Sequence, residues 1–259
     1  MTVKIAVAGA RGRMGQLIIG EVLRFEDLEL VAGFDLMGVG DPIVGGVAVS
    51  DPLDMAEVLT RSGAQVLIDF TMPTATVANV ATATDLGVNL VVGTTGFSED
   101  QRQKMAAAID GRAAAVISPN YSLGVNLFWR LIEVAAASLP GYDIEVIEAH
   151  HRNKMDAPSG TAAEAIRIMA KATGRDEVVY GREGQGLRGD EIGVHAVRAG
   201  EIVGDHTVLF AGPGERLEIK HQAHSRQAFA TGAVRAARWV ASAPNGVYTM
   251  ADVLGQRSD

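Results

Sequence analysis

Five short apolar runs recur along the first half of this chain, at 3–9 (VKIAVAG), 28–35 (LELVAGFD), 64–71 (AQVLIDFT), 89–96 (NLVVGTTG) and 114–120 (AAVISPN). Each stops on a glycine, an acid or a small polar residue. Runs that are apolar on successive positions suit strands covered on both faces, the condition of a parallel sheet with helices on either side. The stretches between them carry helix signals: residues 14–25 place Leu17, Ile18, Val22 and Phe25 near helical spacing, and Ser98 with Gln101 forms a capping pair ahead of RQKMAAAI. Strand and helix in alternation predict a doubly wound parallel sheet, an α/β domain over residues 1–121.

The texture changes from about residue 122. A helix is predicted at 125–138, a strand at 142–151, a helix at 161–174 closed by Gly174, and then several strands with few helices between them over 192–223. GVHAVRAGEIVGDHTVLFAG reads as a hairpin turning near Ala199 and Gly200, continued by ERLEIKHQA. A smaller α+β domain with a mixed or antiparallel sheet is therefore expected over 122–230. The final helix, 226–241, carries an apolar stripe of Phe229, Ala233, Ala237 and Val240, and the segment 231–259 is expected to return to the first domain.

Composition excludes several classes of function. At 47% hydrophobic and 21% charged residues the 259-residue chain is globular and long enough for two cores. A formal net charge of −8 supplies no general attraction to nucleic acid or to an anionic membrane, so neither is expected as a partner. No run approaches the roughly 18 apolar residues of a membrane helix, and MTVKIAVAGARGRMG lacks a signal-peptide core, so the expected location is the cytoplasm. With no cysteine, disulfides and thiolate chemistry are excluded.

The first chemical feature is GARGRMG, residues 9–15. Gly9, Gly12 and Gly15 are spaced GxxGxxG, not the commoner GxGxxG, but they lie between the first strand and the first helix, where a sharp turn brings backbone amides to a pyrophosphate. Asp35, 20 residues beyond Gly15 at the end of the second strand, is placed to accept hydrogen bonds from ribose hydroxyls. Together they predict a Rossmann-like dinucleotide site. Asp35 is followed by Leu36 and Met37, with no arginine to pair a 2′-phosphate, which favours NADH; Arg11 and Arg13 in the loop leave NADPH open. Gly93, Thr94 and Thr95 of GTTG, and Ser118, Pro119, Asn120 and Tyr121, follow later strands and are positioned to line the same crevice.

The second feature is EAHHRNKMDAPSGTA, residues 148–162. Along a strand His150 and His151 point to opposite faces, which disfavours one shared metal ion. Histidine exchanges protons near neutral pH, Lys154 donates a proton or neutralises an anion, and the amides of Ser159, Gly160 and Thr161 at a helix start bind a carboxylate. The combination suits an acidic substrate in a reaction that needs a proton source beside a hydride donor.

GARGRMG, DFTMP, VVGTTG, SPNYSLGVN, EAHHRNKMDAPSGTA and the late SRQAFATGAVRAARW together resemble the 4-hydroxy-tetrahydrodipicolinate reductases, the dihydrodipicolinate reductases of lysine and diaminopimelate biosynthesis, over nearly the whole chain. The resemblance implies reduction of an imine-containing dicarboxylate ring with NADH or NADPH. His150 is then the proton donor or acceptor, Lys154 the second donor, and His151, Gly160 and Thr161 hold the substrate. Cofactor contacts fall on Gly9, Ala10, Arg11, Gly12, Arg13, Met14, Asp35, Gly93 to Thr95 and Ser118 to Tyr121. A basic residue often follows the ribose-binding acid in this family, and Leu36 stands there instead. The resemblance further implies a homotetramer built through sheets of the second domain. The competing readings are a dinucleotide-binding sensor without catalysis and a related dehydrogenase of amino-acid-like substrates; a metal hydrolase using His150, His221 and His224 is more distant.

Overall fold

A computed structural model describes residues 2–255. Met1 and residues 256–259, which belong to the two ends of the expected first domain, lie outside the described residues. In chain order the first half contains β1 (Val3–Ala8), α1 (Arg13–Val22), β2 (Leu28–Phe34), β3 (Pro42–Val44), β4 (Val47–Ser50), α2 (Met55–Ser62), β5 (Val66–Asp69), α3 (Pro73–Asp85), β6 (Asn89–Val92), α4 (Glu99–Ile109) and β7 (Ala114–Ile117). There follow α5 (Leu123–Ser138), β8 (Asp143–His150), α6 (Gly160–Thr173), β9 (Val178–Tyr180), β10 (Ile192–Arg198), β11 (Gly204–Gly212) and β12 (Glu215–Ala223), then α7 (Gln227–Val240), β13 (Gly246–Tyr248) and α8 (Met250–Val253). Two compact units result, one of residues 1–123 with 227–259, the other of 124–226; the boundaries expected from texture were 121 and 230.

The first unit is built on an eight-stranded sheet in the order β13-β7-β6-β5-β1-β2-β4-β3, parallel except for the β3–β4 pair. Strand alternation divides its side chains between two cores. Ile5, Val7, Val66, Ile68, Val91 and Val116 pack on one face with α1 and α7. Ala6, Ala8, Leu67, Leu90, Val92 and Ala115 pack on the other with α2, α3 and α4. Both faces being covered, the strands read as unbroken apolar runs. The α7 residues Ala230, Ala233, Val234, Ala237 and Val240 have no more than trace exposure, whereas Phe229, expected in this stripe, is only half-buried. At α4 the capping box is formed as expected, with the Gln101 amide donating to Ser98 Oγ at 3.2 Å and the Ser98 amide to Gln101 Oε1 at 2.9 Å.

Chain order reverses at β1, whose neighbours are β2 and β5. At the carboxyl end of β5 sits Asp69, a carboxylate with no exposed surface. It accepts from the Thr71 amide (3.0 Å), Thr71 Oγ1 (2.7 Å), Thr76 Oγ1 (3.0 Å), Thr94 Oγ1 (3.3 Å) and Asn79 Nδ2 (2.7 Å). The network ties the loop after β5, helix α3 and the loop after β6 to one atom pair. A buried carboxylate is tolerated only when its lone pairs are used in this way.

The second unit has a five-stranded mixed sheet, order β12-β11-β8-β10-β9. Strand β8 is central, parallel to β10 and antiparallel to β11. Its alternate residues Ile144, Val146, Glu148 and His150 are buried on the face shared with α5 and α6, where Ile144 and Val146 join Val125, Phe128, Ile132, Ile166 and Phe210. The hairpin expected near Ala199 and Gly200 is not formed, because β8 lies between β10 and β11. Alternation specifies which face of a strand is buried but not its partner. The hairpin in this sheet is β11–β12, turning through Pro213 and Gly214, the latter at φ +82. Helix α6 ends on Gly174 in the left-handed region, as its sequence indicated.

Replacing Asp69 with alanine leaves the donors of Thr71, Asn79 and Thr94 without their buried acceptor. Urea denaturation should show a loss of about 2–4 kcal/mol, larger than for a surface Asp→Ala control such as Asp100→Ala.

Candidate active site

In the first unit every expected cofactor residue lies at the carboxyl end of a strand: residues 9–14 after β1, Asp35 after β2, residues 93–95 after β6 and 118–121 after β7. Gly9 has φ +80, and a Cβ there would fall 2.7 Å from the Phe70 carbonyl oxygen; at Gly15 it would lie 2.0 Å from the Gly9 carbonyl oxygen. Neither position admits a side chain, so the turn closes onto β5 and onto its own helix. Helix α1 then opens at Arg13 with no side-chain cap, leaving its first amides and the positive end of its dipole facing the loop.

Asp35 accepts from the amides of Arg11 (2.9 Å) and Met37 (3.1 Å), which fixes both carboxylate oxygens while lone pairs remain for a ribose. A cavity of about 320 Å³ beside it is lined by Gly9, Gly12, Asp35, Leu36, Phe70 and Met72, among others. A second recess gathers Gly12, Arg13 and Met14 with Gly93, Thr94 and Thr95. A loop with no room for Cβ atoms, an uncapped helix start, an acid at the second strand and an adjacent apolar cavity fit a dinucleotide. The Arg11 guanidinium is 3.3 Å from Asp41, and both are exposed.

Some expected cofactor contacts have their polar groups engaged inside the protein. The amides of Gly9 and Ala10 both donate to the Phe34 carbonyl (2.9 and 3.0 Å), and the Gly12 amide to the Gly9 carbonyl (3.0 Å). Tyr121 is a core residue, 1% exposed, whose hydroxyl lies 2.9 Å from the carbonyls of Val92 and Val116; burial raises its pKa well above that of a free phenol. Its side chain braces β6 against β7. Ser118 Oγ, also buried, donates to the Asn120 carbonyl at 2.8 Å. Phe70 and Thr71, which line both recesses, were missed as site residues. The legible signal was Asp69 itself, an acid inside an apolar run.

In the second unit the expected residues cluster where β8 ends. His150 is the last strand residue, the chain turns with the Lys154 amide donating to the His151 carbonyl (3.1 Å), and Lys154 Nζ pairs with Asp156 Oδ1 at 2.8 Å. Ser159 caps α6 through its hydroxyl, which accepts from the Ala162 amide at 3.2 Å, and Gly160 and Thr161 form the first turn. Ser159 is 1% exposed, its amide donates to Glu148 Oε1 (3.1 Å), and its hydroxyl also contacts His206 Nε2 (3.1 Å). Its groups thus serve the interior, and the first-turn positions 160 and 161 are left as the carboxylate-binding candidates of the helix start.

Four residues that sequence reasoning missed surround His150. Glu148, fully buried, lies 2.6 Å from its Nδ1. Arg198 grips Glu148 with two nitrogens, at 2.8 and 2.7 Å, and donates to the Asp156 carbonyl at 2.6 Å. His206 meets the His150 ring edge-on with centroids 5.1 Å apart. At Gly204 a Cβ would stand only 3.0 Å from His150 Nε2, so glycine there keeps that nitrogen uncrowded. Burial lowers the His150 pKa and Glu148 opposes it, while Lys154 and Arg198 lower it further, which leaves it below that of a free imidazole. Burial pushes Glu148 up, but Arg198, His150 and the Ser159 amide together hold it below the ordinary carboxylate value. His206 is pushed down to about 4, chiefly by burial and then by His150. Glu148 and His150 were recoverable as neighbours on one strand face, two residues apart. Arg198, Gly204 and His206 arrive from β10 and β11, whose pairing the sequence did not reveal.

Comparison with known proteins places these geometries in a family. Residues 3–121 match the family described as "Dihydrodipicolinate reductase, N-terminus", and residues 124–254 match "Dihydrodipicolinate reductase, C-terminus". The chain is 53% identical to a 4-hydroxy-tetrahydrodipicolinate reductase of Methanococcoides burtonii, over 98% of this chain and 99% of that one. It is 49% identical to the enzyme of the same name from Methanothermobacter thermautotrophicus, over 98% and 99% of the two chains. A solved structure, the dipicolinate-bound dihydrodipicolinate reductase from Paenisporosarcina sp. TG-14, is similar with a TM-score of 0.82 at 28% identity, covering 96% of this chain and 98% of that one. The chain belongs to the dihydrodipicolinate reductase family.

Proposed function

We propose that this chain reduces 4-hydroxy-tetrahydrodipicolinate to tetrahydrodipicolinate with a reduced nicotinamide dinucleotide, in the cytoplasm, as a step of diaminopimelate and lysine biosynthesis. The observation that carries the reading is the segment 148–161. It sets a buried histidine, a lysine held by an acid and the start of α6 between the end of one strand and the next helix.

The bound dinucleotide supplies the hydride. The residues of the second unit bind and protonate the substrate. His151 and the first-turn amides of Gly160 and Thr161 neutralise a substrate carboxylate, so a dicarboxylate ring is oriented before reaction. In the net reaction a hydride enters the ring and the 4-hydroxyl leaves as water, and Lys154, its charge balanced by Asp156, and His150 supply the proton this requires. In the first unit the α1 amides at Arg13 and Met14 meet pyrophosphate, Asp35 the adenosine ribose, and the loop at Gly93 to Thr95 the nicotinamide end.

NADH is the preferred reductant and NADPH a poorer one. The residue after Asp35 is Leu36, 82% exposed and without charge, and the Arg11 guanidinium already faces Asp41. A homotetramer joined through the second unit's sheet is part of the same proposal. Ile147 and Val197, on the sheet face away from α5 and α6, are 38% and 43% exposed.

An assay that generates the substrate in situ and follows absorbance loss with NADH and NADPH in parallel should show oxidation of both, faster with NADH; no oxidation of either refutes the reading. His150→Gln and Lys154→Ala should each lower kcat by about 10²–10⁴-fold while NADH affinity, measured by fluorescence, stays within about twofold. Leu36→Arg should raise kcat/KM for NADPH by about tenfold relative to NADH, since it supplies a cation for the 2′-phosphate. In sedimentation velocity the protein should run as a tetramer, and Ile147→Asp should shift it to smaller species.

A further inference from the structure

We propose that Glu148 is the positioning residue of the proton-transfer site: its carboxylate, locked by the Arg198 fork, fixes His150 with Nδ1 protonated and Nε2 bare, and ties the Lys154 turn and the α6 start to that ring. The proposal deepens the reading of His150 as a proton carrier and rests on it.

Glu148 Oε2 takes the His150 Nδ1 contact at 2.6 Å and one Arg198 nitrogen at 2.8 Å; Oε1 takes the other Arg198 nitrogen at 2.7 Å and the Ser159 amide at 3.1 Å. Two bonds from a guanidinium keep the carboxylate ionised, and an ionised carboxylate only accepts. The 2.6 Å contact is therefore a hydrogen bond only if Nδ1 carries the hydrogen. In the neutral ring that leaves Nε2 as the acceptor, and Nε2 is the nitrogen for which Gly204 leaves space. The same carboxylate reaches the substrate-binding helix start through Ser159, and Arg198 reaches the Lys154 turn through the Asp156 carbonyl at 2.6 Å. One buried carboxylate thus sets the tautomer, the ring orientation and the relative placement of the three groups assigned to the substrate. An acid serving a histidine in this way need not be protonated itself.

The charged and titratable groups facing His150 are Glu148 on its own strand, Lys154 in the following turn, Arg198 on β10 and His206 on β11. Of these only Glu148 favours the protonated ring. Removing its charge must move the ring's titration to lower pH.

The test uses the full chain labelled with ¹⁵N-histidine, with the His150 resonances assigned by their loss in His150→Gln. Wild-type His150 should show a protonated Nδ1 and an unprotonated Nε2. Glu148→Gln should lose that single tautomer, titrate at lower pH, keep NADH affinity within about twofold, and lose kcat by about a hundredfold or more with a smaller change in KM. Arg198→Lys, which keeps the charge but not the fork, should move the same signals in the same direction by less. A wild-type His150 protonated at Nε2 overturns the proposal, as does a folded Glu148→Gln enzyme with unchanged His150 signals and kcat. If Glu148→Gln does not fold, the wild-type tautomer and the Arg198→Lys spectrum decide. Full turnover in His150→Gln would refute the proton-carrier reading instead, and the spectra would still decide the role of Glu148.

Discussion

A carboxylate with no exposed surface, placed two residues before the end of a central strand, has to be answered by its surroundings. Glu148 is answered by Arg198 from β10, by His150 on its own strand and by the amide that opens α6. Burying an unpaired charge would cost more than a domain of this size can spare, so those partners are obligatory. Because each belongs to a different element, satisfying one residue aligns the strand end, the turn after it and the helix start. The catalytic reading of the second unit depends on that alignment more than on any single reactive group.

The first unit solves a related problem by a different route. There the carboxyl ends of parallel strands must be open to a ligand, yet the loops leaving them must hold still. Asp69 does the holding with neutral donors from Thr71, Thr76, Thr94 and Asn79. Glycine does the opening: Gly9 and Gly15 remove side chains where the turn presses on Phe70 and on itself. In each unit a buried carboxylate, stabilised by its own set of donors, leaves the surrounding polar groups free to be oriented by the fold.

Much of this was legible in the sequence. Apolar runs covered on both faces announced the parallel sheet, the capping residues marked α4 and the end of α6, and the density of proton donors at 150–161 marked the segment that carries the candidate site. What stayed hidden follows from pairing. Short strands such as β3, β9 and β13 carry too few residues for a periodic signal, and β10 and β11 were read as a hairpin because nothing in either strand announces that β8 will come between them. Arg198, Gly204 and His206 were missed for the same reason. The hydroxyls of Ser159 and Tyr121 take partners inside the protein, since a residue type that suits a ligand also suits a neighbour. The sequence cannot say which of the two takes the hydroxyl.

The α7 residues that complete one face of the first unit's sheet lie more than a hundred positions after its last early strand, β7. During synthesis that face, with Ile5, Val7, Val66 and Val116 on it, has α1 but lacks the α7 part of its cover until the ribosome has passed residue 240. The second unit, by contrast, is one uninterrupted stretch. Its chain is complete while the first unit's is still missing α7, so the sheet translated second is the first to have all its strands and helices available.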